Sequence, residues 1–197
     1  NHMAVDGIDL EIRKGEIYGL IGPDGAGKSS LMKAIAGVLT YDEGTVEVFG
    51  TLVDSERAAE RVKERIGFLP QGLGLNLYPD LSVEENIDFF ARLRLVPEQQ
   101  LTERKTRLLA MTRLDKYRDR AMKNLSGGMK QKLGLICTLI HEPELAILDE
   151  PTAAMDAGAE ATVYEHFRAL TAGRIAILIS HRFSTVRSAD RIIVIEH

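Results

Sequence analysis

The stretch Gly22-Pro23-Asp24-Gly25-Ala26-Gly27-Lys28-Ser29-Ser30 decides how the rest of this chain is read. It fits G-x-x-x-x-G-K-[ST], with Gly22, Gly27, Lys28 and Ser29 at the fixed positions. Just upstream, Glu16–Ile21 is a short apolar run that reads as a buried strand. Just downstream, Ser29–Val38 has a helical apolar pattern at Leu31, Ile35 and Val38. Strand, glycine loop and helix therefore follow one another in the order the motif needs. The glycines let the backbone turn several N–H groups inward. The helix N-terminus adds partial positive charge, so phosphate oxygens are stabilised there. In such a loop Lys28 reaches the β- and γ-phosphates of a nucleotide and the Ser29 hydroxyl holds Mg²⁺. Pro23, Asp24, Gly25, Ala26 and Ser30 complete the expected cradle.

Whole-chain properties suit a globular enzyme domain. The 197 residues suffice for one core with a subdomain. The chain is 45% apolar and 27% charged, ordinary values. A formal net charge of −4 argues against a general nucleic-acid binder, so no nucleic acid is expected as a partner. The single cysteine, Cys137, lies in an apolar helix-like run and reads as a core residue in a reducing compartment. There is neither a signal-peptide pattern nor an apolar run long enough to span a bilayer. Asn1-His2-Met3 reads as a cleaved-tag scar.

Along the chain, Val5–Arg13 alternates weakly and reads as an edge strand before the Lys14-Gly15 turn. Thr45–Phe49 and Ile66–Pro70 read as further strands, Asp54–Arg65 as a charged helix and Gly72-Leu73-Gly74 as a loop. Ser82-Val83-Glu84-Glu85 is a capping box, opening a helix with Ile87, Phe90 and Leu93 on one face. Pro97 starts the next helix. Strand-like runs return at Leu145–Leu148, Ile175–Ile179 and Ile192–Ile195. Strands alternating with helices predict an α/β fold with a mainly parallel sheet covered on both faces. Residues 72–140 hold helical patterns and no convincing strand. The expected division is therefore a core of 1–71 and 141–197 with an inserted helical subdomain at 72–140.

Leu145-Ala146-Ile147-Leu148 is an apolar strand ending in Asp149-Glu150. In a parallel sheet, ligands gather at the strand C-termini, so both acids should lie near the glycine loop. Neighbouring strand residues point to opposite sides, so the two acids should have different roles. Asp149 suits Mg²⁺, directly or through water. Glu150 suits a general base that polarises the attacking water.

Leu125-Ser126-Gly127-Gly128-Met129 lies between the helical stretch and the acidic strand. Together with Gly22–Ser29 and Leu145–Glu150, it resembles the nucleotide-binding domain of an ATP-binding cassette (ABC) transporter, of exporter-like type. The resemblance covers nearly the whole chain. It implies a P-loop NTPase with a small N-terminal antiparallel β part and a helical subdomain carrying the Leu-Ser-Gly-Gly signature. It also implies an ATPase that uses ATP and Mg²⁺ and works as a head-to-tail homodimer or heterodimer. Its partners would be transmembrane permease subunits on the inner, cytoplasmic face of the cell membrane.

Site residues carry over position by position. Gln71 ends a strand as the Q-loop glutamine does, which implies a Mg²⁺ or water ligand. Ser126, Gly127 and Gly128 open a helix and would offer N–H groups to the γ-phosphate held by the other subunit. Asp156 stands in the D-loop. His181 follows the Ile175–Ser180 strand as the switch histidine does, and would contact the γ-phosphate and orient water. His2, His141, His166 and His197 receive no role.

The sequence departs from the family in four places. Met129 replaces the usual glutamine, Asp24 the common asparagine or serine, and Ala153-Ala154-Met155 precede Asp156 in an atypical D-loop. The aromatic residue that stacks on adenine has no counterpart in Asn1–Ile21, since Tyr18 lies inside the core strand. Gly72–Phe90 resembles drug- or polysaccharide-type exporter ATPases and their ribosome-associated relatives. Ile177–Glu196 resembles fused exporter ATPases, the pattern of a truncated or chimeric chain. Two other readings stand beside the transporter ATPase. One is a soluble ABC ATPase acting on ribosomes or DNA. The other is a domain that binds nucleotide without turning it over.

Overall fold

A computed structural model describes residues 5–72, 74, 76–182, 187 and 189–195, with the side chains of 157, 159, 162 and 166 excepted. Asn1-His2-Met3, Leu73 and His197 lie outside the described residues, as does the side chain of His166. The chain divides into two compact units. The first comprises Asn1–Phe68, Pro143–Asp149 and Thr171–His197, and the second comprises Leu69–Glu142 and Glu150–Leu170.

The first unit is built on a parallel sheet. Its strands are β1 (Ile17–Ile21), β4 (Ile66–Leu69), β5 (Leu145–Asp149), β6 (Ile175–Ile179) and β7 (Arg191–Val194), in the order β4-β5-β6-β1-β7. β1 pairs in parallel with β6 and with β7, and β5 pairs in parallel with β6. The central strands are apolar throughout because both faces are covered. Leu145, Ile147, Ile177 and Ile179 join one core cluster, while the alternating Ala146, Leu148, Ala176 and Leu178 are buried as well. The helices α1 (Lys28–Ile35) and α2 (Glu56–Lys63) contribute Met32, Ala59 and Val62 to that cluster. Ser55 caps α2, accepting from the Ala58 N–H.

Expected local structure is corrected at several points. Val5–Arg13 forms no strand; Ile8 and Ile12 pack on the core without ladder pairing. The antiparallel element is instead the hairpin of β2 (Glu47–Val48) and β3 (Thr51–Leu52). Its two-residue turn places Phe49 at φ 54° and Gly50 at φ 74°, the positive angles that a type I′ turn requires. Helix α1 ends before Val38, which is 61% exposed. Gly37, at φ 67°, lets the Val38 N–H bond the Lys33 carbonyl and its own N–H bond that of Ala34, a Schellman stop.

The second unit is helical. It contains α3 (Val83–Leu93), α4 (Glu98–Thr112), α5 (Gly127–Leu139) and α6 (Ala157–Leu170), with 3₁₀ turns at Asp115–Tyr117 and Met122–Asn124. The Ser82 capping box forms: Ser82 Oγ accepts from the Glu85 N–H, and Glu85 accepts from the Ser82 N–H. Ile87 is fully buried and Phe90 packs on the unit's core, but Leu93 is 63% exposed. The helix stops there because Leu95 takes φ 54°, and the Val96 N–H bonds back to the Ala91 carbonyl. Residues 150–170, expected with the core, group with this unit. Val163, Phe167 and Leu170 of α6 line the same apolar pocket as Leu108 of α4 and Leu135 of α5. Cys137 is buried in α5, and burial pushes its thiol well above the usual range.

Candidate functional site

In the first unit, β1 ends at Ile21 and the loop 22–27 delivers the chain to α1. Gly22 cannot be replaced there, because a Cβ would collide with the backbone carbonyl oxygen of Ile195. Gly25 and Gly27 take φ 86° and 85°, left-handed angles that favour glycine. Gly27 is the N-cap of α1 and makes no side-chain cap bond, so the first N–H groups of the helix keep their capacity for an anion. Lys28 is buried, and its ammonium donates to the carbonyls of Gly22 at 2.8 Å and Pro23 at 2.7 Å. The amine is thus folded over its own loop and held by neutral acceptors.

The next residue, Ser29, donates from Oγ to Oδ2 of Asp149 at 2.7 Å. Asp149 ends β5 and is 4% exposed. Burial pushes its carboxyl above the usual range, against the Ser29 hydrogen bond and the charges of Lys33, Lys28 and His181. A desolvated carboxylate beside a hydroxyl is a hard oxygen pair that fits Mg²⁺, whose other positions are commonly taken by water and substrate phosphate. Among the described residues no group of three or more His, Cys, Asp or Glu side chains is arranged to hold a metal. His181 follows β6, and its Nε2 lies 3.0 Å from Oδ1 of Asp24. The loop, Ser29, Asp149 and His181 thus belong to one unit, and the last two are linked by charge or contact to loop residues.

Tyr18 is 1% exposed, donates from its hydroxyl to the Glu11 carbonyl, and accepts from Arg191. Its ring is committed to the core strand.

The second unit carries Gln71, Ser126, Gly127, Gly128, Glu150 and Asp156. Gln71 is exposed just after β4. Ser126 caps α5, its Oγ accepting from the Met129 N–H at 3.4 Å, and Gly127 and Gly128 form the first turn. Glu150 follows Asp149 directly, is 7% exposed, and sits at φ 51°. For a residue with a Cβ, that left-handed angle persists only when the surroundings hold it. Asp156 is exposed, and its backbone carbonyl accepts from the Glu160 N–H at the start of α6.

One contributor escapes sequence reasoning. The buried side chain of Gln131 bonds to the backbone of Glu150 and of Ala154. A glutamine one turn after Gly128, on a helix whose following residues are buried, is the signal that points to it.

The family model for ABC transporters matches residues 5–153. The Nod factor export ATP-binding protein I of Cupriavidus metallidurans is 36% identical over 182 residues, covering 92% of this chain and 59% of that protein. The probable multidrug ABC transporter ATP-binding protein YbhF of Escherichia coli is 44% identical over 154 residues, covering 78% of this chain and 26% of that protein. The chain thus spans about three fifths of the Nod factor relative's length and a smaller share of the multidrug one. Among solved structures, the fold matches the dimeric ATP-binding cassette MJ0796 bound to ADP and Pi, with a TM-score of 0.88 at 24% identity, over 98% of this chain and 86% of that one. It also matches cbiO1 of Clostridium perfringens, part of an ABC transporter complex, with a TM-score of 0.85 at 27% identity over 97% and 77% of the two chains. With the family model covering most of its length, the chain belongs to the ABC transporter family.

Proposed function

We propose that this chain is the ATP-binding and ATP-hydrolysing part of an ABC exporter. The observation that carries this reading is the 2.7 Å bond from Ser29 Oγ to buried Asp149, directly after a glycine loop with its lysine folded inward. That is a triphosphate cradle joined to a cation-binding oxygen pair. Loop N–H groups and Lys28 bind the β- and γ-phosphates of ATP. Ser29 and Asp149 would hold Mg²⁺, which when bound neutralises charge on the phosphate oxygens. Glu150 accepts the proton of the attacking water as general base. His181 orients that water toward the γ-phosphate.

The rest of the reading concerns assembly. The inserted helical subdomain carries Ser126, Gly127 and Gly128, which would close on ATP held by the partner cassette, with Asp156 at the same interface. Two copies, or this chain and a homologous one, would meet head to tail. The relatives' names, for Nod factor export and multidrug transport, support an export role with permease subunits as partners. Among the described residues no helix is long and apolar enough to cross a membrane. The place of action would be the inner face of the membrane.

Steady-state phosphate release tests the reading. The parent protein is expected to release phosphate from ATP only when Mg²⁺ is present, and Lys28→Ala to release none. Equal release by both proteins would overturn it.

A further inference from the structure

Gln131 sits in the second turn of α5 and is 7% exposed. Its Nε2 donates to the backbone carbonyl of Glu150 at 3.3 Å, and its Oε1 accepts from the Ala154 N–H at 2.8 Å. One side chain therefore closes a ring around five residues of backbone. A second contact comes from the preceding turn of the same helix. A Cβ on Gly128 would stand 3.2 Å from the carbonyl oxygen of Ala154, so only glycine lets that peptide approach α5 without displacement. Residues three apart on a helix share a face. Gly128 and Gln131 together thus hold Ala154 by its carbonyl side and its N–H. Within the ring, the Ala153 N–H also bonds the Glu150 carbonyl at 3.3 Å, and the Met155 N–H bonds the Thr152 carbonyl at 2.9 Å. Glu150 itself stands at φ 51°, an angle its neighbours must impose.

We propose that Gln131 is a positioning residue: it clamps the Glu150–Ala154 turn to the signature helix and so sets the general base from the helix that senses the partner's nucleotide. This rests on the proposed function, in which Ser126–Gly128 engage the γ-phosphate. The chemistry selects glutamine. The clamp needs a donor and an acceptor at the end of a three-carbon reach. Methionine has the length and neither bond. Glutamate can still accept from Ala154 but sets an acceptor against the Glu150 carbonyl. A small displacement of a catalytic group is costly, because misplacement by about 1 Å can lower a rate about a hundredfold.

The test uses Gln131→Met and Gln131→Glu, each in the parent and in Glu150→Gln, after thermal unfolding has shown that they fold. Two readouts are taken. The first is turnover at saturating MgATP: each Gln131 variant should lower kcat by about tenfold or more with KM changed little, and should add nothing to the loss in Glu150→Gln. The second is hydrogen exchange at the Ala154 amide, which needs no hydrolysis. It should be protected in the parent and in Gln131→Glu, and exposed in Gln131→Met. A kcat within about twofold of the parent, or losses that multiply with Glu150→Gln, would overturn the proposal. If the parent hydrolyses no ATP, the functional reading fails on its own. The exchange readout then decides the clamp: equal exchange in parent and Gln131→Met overturns it. If Gln131→Met does not fold, the Gln131→Glu kinetics decide it.

Discussion

Nε2 of His181 lies 3.0 Å from Oδ1 of Asp24, joining the residue after β6 to the middle of the glycine loop. Asp24 is the acidic departure within the expected cradle. It faces the very group proposed to orient the attacking water. Its side chain is otherwise almost fully exposed, at 94%. The carboxylate therefore competes with a phosphate for His181 and repels the phosphate as well.

Asp24→Asn should accordingly tighten MgATP binding. Two unit charges about 4 Å apart interact by about 1 kcal/mol even in water, so a gain of roughly fivefold is expected. His181→Ala should instead lower kcat and weaken MgATP binding, because it removes a phosphate contact. Calorimetry and turnover on the two variants separate these effects. Weaker binding in Asp24→Asn would contradict the competition.

Asp149 has a raised carboxyl pKa because it is buried. A group whose folded pKa exceeds its unfolded value stabilises the fold fully below the unfolded pKa. That contribution is lost as pH rises through the folded one. The buried carboxylate form of Asp149 thus works against folding until a cation joins it. Asp149→Asn should raise the melting temperature of the nucleotide-free protein at pH 7 and abolish the extra stabilisation given by MgATP. A melting temperature that falls, with the MgATP increment kept, would show that Asp149 serves only as a structural partner of Ser29.

Gly22→Ala tests the sterics of the loop. Its new methyl group would meet the Ile195 carbonyl, a backbone atom that cannot rotate away. Overpacking of this kind costs about 1–3 kcal/mol, and here the strain falls on the loop that carries Lys28. Denaturant unfolding should show the loss, together with weakened ATP binding. Unchanged stability would mean that the β7 end yields.

Much of this was legible in the sequence because the signals are local. The loop is bounded by a strand and a helix that each declare themselves within ten residues, and β5, β6 and α5 are apolar enough to be unambiguous. Val5–Arg13 misled because weak alternation indicates a strand only when a neighbour supplies a ladder. Val38 and Leu93 misled because the helical period continues past residues, Gly37 and Leu95, that turn the chain left-handed. Gln131 and Asp24 were opaque for a different reason. Their partners lie far along the chain, 19 and 23 residues away for Gln131, and no periodicity encodes such contacts.

In the proposed assembly, association would run through the signature helix. Ser126 caps α5 and leads a first turn of two glycines, a surface open to an anion. Ser126→Arg should block the approach of a partner's nucleotide. Light scattering with ATP is expected to show a dimer for Glu150→Gln and a monomer for Glu150→Gln combined with Ser126→Arg. Dimers of equal stability in both would place the contact elsewhere.

In the proposed function this chain turns over ATP with Glu150 as its general base. The most direct measurement is phosphate release by the parent and by Glu150→Gln at saturating MgATP, with ATP binding measured on the same samples. The expected result is equal or tighter binding in Glu150→Gln with release slowed by roughly 10²–10⁴-fold, the loss typical of a missing general base. Release at the parent's rate by Glu150→Gln would contradict that role for Glu150.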